Sequence, residues 1–103
     1  MAQYNILGYE TLDIEDSAVS LTGGVTGARS FVGKLETGAV RSRGDGTAPT
    51  ASEGVLFSVG DVIVLGQYEI AAMQFIRDTS TSGILKGHYY SAEPTAFSSG
   101  GFA

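Results

Sequence analysis

Apolar and polar residues alternate at every second position in short runs that glycine interrupts, and this period restricts the chain to strands. Phe31, Gly33 and Leu35 fall on one side of such a run, with Val32, Lys34 and Glu36 on the other. After Gly38 the alternation resumes, Val40 and Ser42 opposing Arg41 and Arg43. An amphipathic helix would repeat near every 3.6 residues, whereas a pleated strand repeats every two. Tyr4, Ile6 and Gly8 alternate with Asn5, Leu7 and Tyr9, and Ala18 and Ser20 alternate with Val19 and Leu21. Residues 55–59 and 62–65 are separated by Gly60 and Asp61, which predicts a hairpin, Gly supplying the positive φ of a tight turn, or else one long strand bent at that pair. Residues 62–65 are apolar on both faces, as in a strand covered above and below. Residues 73–77 and 84–90, joined by the turn-rich stretch 78–83, predict a second hairpin. Residues 68–75 are the helix candidate, with one turn at most.

The expectation is an all-β fold, a single-domain β-sandwich or jelly roll of about seven or eight short antiparallel strands over residues 1–90. Residues 91–103 change character, with Pro94, Ser98, Ser99, Gly100 and Gly101. They read as a flexible C-terminal arm. Its Phe97 and Phe102 either dock on a partner or on the chain's own sheet, or are incidental to a disordered stretch.

Composition narrows the function classes. The chain of 103 residues has no cysteine, so it holds no disulfide framework and no thiolate metal site. Its net charge is −5, and the six basic residues Arg29, Lys34, Arg41, Arg43, Arg77 and Lys86 are scattered. Phosphate binding draws on clustered Lys and Arg, so nucleic acid is not an expected partner. No apolar run approaches the roughly 18–20 residues of a membrane span. The first residues lack the basic start and apolar stretch of a signal peptide, which predicts a soluble protein made in a cytoplasm. Only 17% of residues are charged. That suits a chain packed against neighbours, and it suits an ordinary neutral-surfaced β domain almost as well.

Catalytic chemistry finds little to work with. His88 is the one histidine, between Gly87 and Tyr89, with no carboxylate beside it and no serine in a nucleophile elbow, so it reads as a partly exposed strand residue. Asp13, Glu15 and Asp16 cluster without calcium-loop spacing, and the glycines near Gly23 have no phosphate-binding lysine. The expectation is a non-enzymatic protein with no catalytic, cofactor or metal residues. Tyr68, Tyr89 and Tyr90 are candidates for stacking on a sugar ring. Tyr89 and Tyr90 point to opposite faces, so at most one of them serves. Arg43, Gly44 and Asp45 spell a cell-adhesion tripeptide, but turn chemistry explains it: Arg43 ends a strand, and Asp45 bonds its own backbone two residues on.

The longer segment 40–54 carries more information. Alternating Arg41 and Arg43 lead into Asp45, Gly46, Thr47, then Pro49, Thr50, Ala51, Ser52 and Gly54, and this resembles a segment of small structural proteins encoded by tailed bacteriophages. The resemblance continues through Leu56, Gly60, Asp61, Leu65, residues 75–77 and 85–90, covering roughly residues 31–90. It implies a β-sandwich or jelly-roll virion protein, bound to the outer capsid surface as a cement or decoration protein, or less often a head-fibre or tail component. It further implies the major capsid protein as partner, a homo-oligomer (dimer or trimer) on a capsid symmetry axis, and a location in the virion after assembly in the host cytoplasm. Arg41, Arg43, Asp45, Phe97 and Phe102 are the candidate partner contacts. Arg41 and Arg43 either meet acidic capsid residues or pair with this chain's own acids and are structural. The alternative reading is a carbohydrate- or receptor-binding β-sandwich module.

Overall fold

The computed structural model describes residues 5–23 and 26–92. Along these, β1 (Ile6–Ile14), β2 (Ser30–Thr37), β3 (Val40–Arg43), β4 (Val55–Phe57), β5 (Val62–Gly66), α1 (Gln67–Ala72), β6 (Gln74–Arg77) and β7 (Gly83–Tyr90) follow in order. The strands form two antiparallel sheets, one of four strands in the order β1-β7-β2-β5 and one of three in the order β4-β3-β6. The all-β sandwich that the alternation predicts is the architecture found. Phe97 and Phe102 lie outside the described residues. Ser91, assigned to the arm by its composition, belongs to the sheet end, where its N–H donates to the Asn5 carbonyl at 3.1 Å.

The period-two reading places the core. Leu12, Ile14, Phe31, Leu35, Ile63, Leu65, Leu85 and Tyr89 from the large sheet meet Val40 and Phe75 from the small one in a single buried cluster, which Leu21 and Ile70 close. Gly33 and Gly87 stand opposite each other in the β2–β7 ladder. The Phe31 ring lies over both: a Cβ on Gly87 would come within 2.6 Å of Phe31 Cζ and would strike the Val32 carbonyl. Two neighbouring strands forgo side chains so that one aromatic ring can rest on backbone.

Neither expected hairpin forms. The turn at Gly60 exists, with φ of 95°, and Asp61 accepts the Ser58 N–H at 2.8 Å. Yet β4 pairs with β3 while β5 pairs with β2, so this turn carries the chain from one sheet to the other. It is a corner between two strands, neither a hairpin nor one bent strand. The connection at 78–83 does the same, leaving β6 in the small sheet and β7 in the large one. Residues 62–65 are also not covered on both faces. Ile63 and Leu65 are buried, but Val62 and Val64 are 40% and 39% exposed because β5 is an edge strand. Residues 17–22 contribute a bridge between Val19 and Phe75 and no strand. The helix is six residues long, its first turn held where the Gly66 N–H donates to Glu69 Oε1 at 2.7 Å.

An unexpected carboxylate closes one end of the sandwich. Glu10 shares the inward register of Leu12 and Ile14. It accepts the Tyr89 hydroxyl proton, the Thr22 hydroxyl at 3.0 Å and the Thr22 N–H at 3.1 Å, while the Gly23 N–H donates to the Tyr89 oxygen at 3.2 Å. Burial, reinforced by the bond to Glu10, pushes the Tyr89 hydroxyl up to about 12. Inward carboxylates are tolerated only when hydrogen-bonded in this way.

Candidate functional site

Two surfaces carry the candidate residues: the loop 44–54 between β3 and β4, and the outer face of the large sheet. The loop follows a strand whose outward residues are Arg41 and Arg43, Val40 and Ser42 being buried. Arg41 binds the loop from below. Its Nε donates to Asp78 Oδ1 at 2.7 Å and, less directly, to the Ala51 carbonyl at 3.1 Å, and its Nη1 donates to the Gly54 carbonyl at 3.1 Å. The guanidinium fork suits two acceptors set side by side. Within the loop, Thr50 and Glu53 exchange main-chain hydrogen bonds at 2.9 and 3.3 Å, and Pro49 is buried beneath it. A stretch of small polar residues therefore has one defined shape.

The adhesion tripeptide is closed on itself. Arg43 donates through Nε and Nη2 to the two oxygens of Asp45 at 3.1 and 2.5 Å, and the Thr47 N–H donates to Asp45 Oδ1 at 3.4 Å, the bond two residues on that the turn reading expects. The Arg43 hydrogen bond holds the Asp45 carboxyl below the usual carboxylate range, and Asp45 in turn raises the Arg43 guanidinium. Of the five candidate contact residues, Arg41, Arg43 and Asp45 are thus brought together at the base and start of one loop. All three are paired with groups of this same chain, so the acids that Arg41 and Arg43 meet in the structure are Asp78 and Asp45.

The second surface arises from register rather than from any local motif. Tyr9 of β1 stands opposite His88 of β7, and His88 opposite Val32 of β2. The Tyr9 and His88 ring centroids are 5.4 Å apart, and those of His88 and Tyr90 6.3 Å apart. With Lys34, Lys86, Glu36 and Val62 they line a shallow trough of roughly 500 Å³. Lys34 faces Lys86 across the ladder, and Lys86 Nζ lies 3.5 Å from Glu36 Oε1. His88 is the partly exposed strand residue expected, packed between aromatic rings. Of the three tyrosines considered for sugar stacking, Tyr90 borders this trough but is buried against Val32, Tyr89 is buried in the core, and Tyr68 is exposed on α1 and does not line the trough. Tyr9, the most exposed ring of the trough, was not among them. No family model, curated protein or solved structure matches the chain.

Proposed function

We propose that this chain is a non-enzymatic virion structural protein of a tailed bacteriophage, a cement or decoration protein that binds the outer capsid surface through its 44–54 loop. The observation that carries the reading is the anchoring of that loop. Thr47, Ala48, Thr50, Ala51, Ser52 and Glu53 are all exposed, while Arg41, Pro49 and the Thr50–Glu53 bonds hold their backbone in place from within. Preorganisation of this kind lowers the entropic cost of docking on a fixed surface. It also requires no acid, base or nucleophile, and it lies in the segment that resembles phage structural proteins.

The mechanism is additive binding. Packaged DNA loads the joints between capsid subunits, and an accessory chain spanning a joint adds contacts that expansion must break. Many symmetric copies make modest contacts effective. The purified chain is expected to cosediment saturably with shells of the major capsid protein of the same phage, and Thr47→Arg or Ser52→Arg, both at exposed positions, to abolish binding without unfolding the sandwich. Absence of cosedimentation at saturating chain would sink the reading.

A second reading has its own observation, the ring pair of exposed Tyr9 and partly exposed His88 in the trough. Aromatic faces with lysine donors beside them suit a carbohydrate, which would make the chain a head-fibre or tail receptor-binding module. Glycan-array binding lost on Tyr9→Ala would favour it over the capsid reading.

A further inference from the structure

The two flanks of the sandwich are finished differently. On one, the Val19–Phe75 bridge and the Arg77 N–H donating to the Glu15 carbonyl at 2.9 Å tie the margins of the two sheets together. On the other, β4 and β5 are each outermost in their sheets among the described residues and follow one another through the corner at 58–61. Of the nine large apolar side chains exposed among the described residues, Val55, Leu56, Val59, Val62 and Val64 all lie on this second flank.

Proteins guard an open sheet edge with charge, proline or a bulge. The opposite edge of the large sheet, β1, has such protection: Glu10, Asp13 and a register irregularity between Ile6 and Gly8. β5 reads Val-Ile-Val-Leu-Gly and has none. Its free main-chain groups can be assigned from the ladder. The Leu35 N–H donates to the Asp61 carbonyl, and antiparallel bonding recurs at every second residue. Ile63 and Leu65 therefore turn their N–H and C=O towards β2, and those of Val62, Val64 and Gly66 point to the open edge. The Gly66 N–H is already given to Glu69, and its C=O belongs to the first turn of the helix that Gly66 caps. What remains, among the described residues, is the N–H and C=O of Val62 and of Val64.

We propose that this flank is the interface of a two-fold homodimer in which β5 pairs antiparallel with β5 of a second copy, Val62 opposite Val64. That register satisfies the remaining edge groups of both copies and leaves the Gly66 N–H with Glu69. Centring the axis on Val64 would set Gly66 opposite Val62 and call on the Gly66 N–H twice. A second copy fits better than a foreign strand because this pattern of free groups is its own antiparallel complement. β5 itself carries no charged side chain, and the acids at its two ends, Asp61 and Glu69, are each held by a main-chain N–H of their own chain, from Ser58 and Gly66. The half-exposed Val62 and Val64 side chains become cross-strand pairs of β-branched residues, which stabilise antiparallel ladders. Val55, Leu56 and Val59 of both copies are brought to the same buried flank.

Sedimentation equilibrium of the full chain is expected to give twice the 10.7 kDa chain mass. Val64→Lys, at an outward half-exposed position, is expected to give a monomer with an unchanged far-ultraviolet spectrum. Val62→Pro removes an edge N–H without costing a bond to β2, and is expected to do the same, so that misfolding of one variant leaves the other decisive. The chain has no cysteine, so the register is read by mixing Val62→Cys chains with Val64→Cys chains under mild oxidation. Unlike chains would crosslink in preference to like ones, since directly opposed residues lie about 5.5 Å apart, within disulfide reach, and like residues here lie beyond it. A wild-type monomer through the millimolar range, a dimer that survives Val64→Lys, or crosslinking between like chains would overturn the proposal.

Discussion

Arg41 offers the sharpest test of how the loop is held. Its side chain and that of Asp78 are 25% and 22% exposed, so water screens their 2.7 Å contact only in part. Two well-directed charge-assisted bonds, to Asp78 and to the Gly54 carbonyl, each contribute roughly 1.5–3 kcal/mol when shielded, and partial exposure favours the lower end. Arg41→Ala is therefore expected to cost about 2–3 kcal/mol, some of it from leaving Asp78 and two carbonyls without a donor. In a domain of this size that lowers Tm by roughly 10–20 °C. Arg41→Lys keeps a charge near Asp78 but loses the fork, and should cost about half as much. Urea unfolding at constant m-value gives these differences. A cycle with Asp78→Asn should show a coupling of about 1–2 kcal/mol. Limited proteolysis supplies the local readout, with faster cleavage inside 44–54 in Arg41→Ala. A variant within about 0.5 kcal/mol of wild type, with unchanged loop cleavage, would refute the idea that Arg41 holds the loop.

Other substitutions probe the remaining parts. Gly87→Ala would drive a methyl group into Phe31 and the Val32 carbonyl and should destabilise by about 3 kcal/mol or more, seen as a large drop in urea midpoint; a neutral result would mean that the ring does not rest on that backbone. Tyr89→Phe should cost about 1–2 kcal/mol at neutral pH through the lost bond to Glu10. In the wild type, the Tyr89 hydroxyl is raised from 10.0 to about 12, so above pH 10 the unfolded chain releases this proton before the folded one does. Stability from this group is complete below pH 10 and falls as pH rises towards 12, and Tyr89→Phe should lack that part of the alkaline decline in urea midpoint. Removing residues 93–103, which retains Ser91 and its bond to Asn5, should leave thermal unfolding unchanged while weakening shell attachment through loss of Phe97 and Phe102; equal shell occupancy would remove the tail from the mechanism.

Period two in the sequence was enough to orient most strands. Val40 and Ser42 face in and Arg41 and Arg43 face out, and Phe31 and Leu35 enter the core, because burial of alternate residues is a local property of a pleated strand. Partner choice was not legible. Gly60 and Asp61 announce a turn, but a hairpin and a corner between sheets use the same turn residues, and what separates them is whether β3 or β5 lies beside β4. For the same reason Val62 and Val64 read as doubly covered when they border open solvent. Glu10 could not be foreseen as an inward carboxylate, since the Tyr89 and Thr22 groups that satisfy it come from distant parts of the chain. The loop was visible as a loop, and the Asp45 bond to Thr47 followed from turn chemistry. The grip of Arg41 on Ala51 and Gly54 needed the fold. The trough needed it most of all, because Tyr9, Val32 and His88 become neighbours only through the β1-β7-β2 order.

The virion assignment is tested most directly by quantitative mass spectrometry of density-purified phage particles from a lysate in which the chain is expressed from its own locus. A decoration protein must remain with the particles at a fixed copy ratio to the major capsid protein through the gradient. Recovery of the chain only in the soluble fraction, with none on the particles, would contradict it.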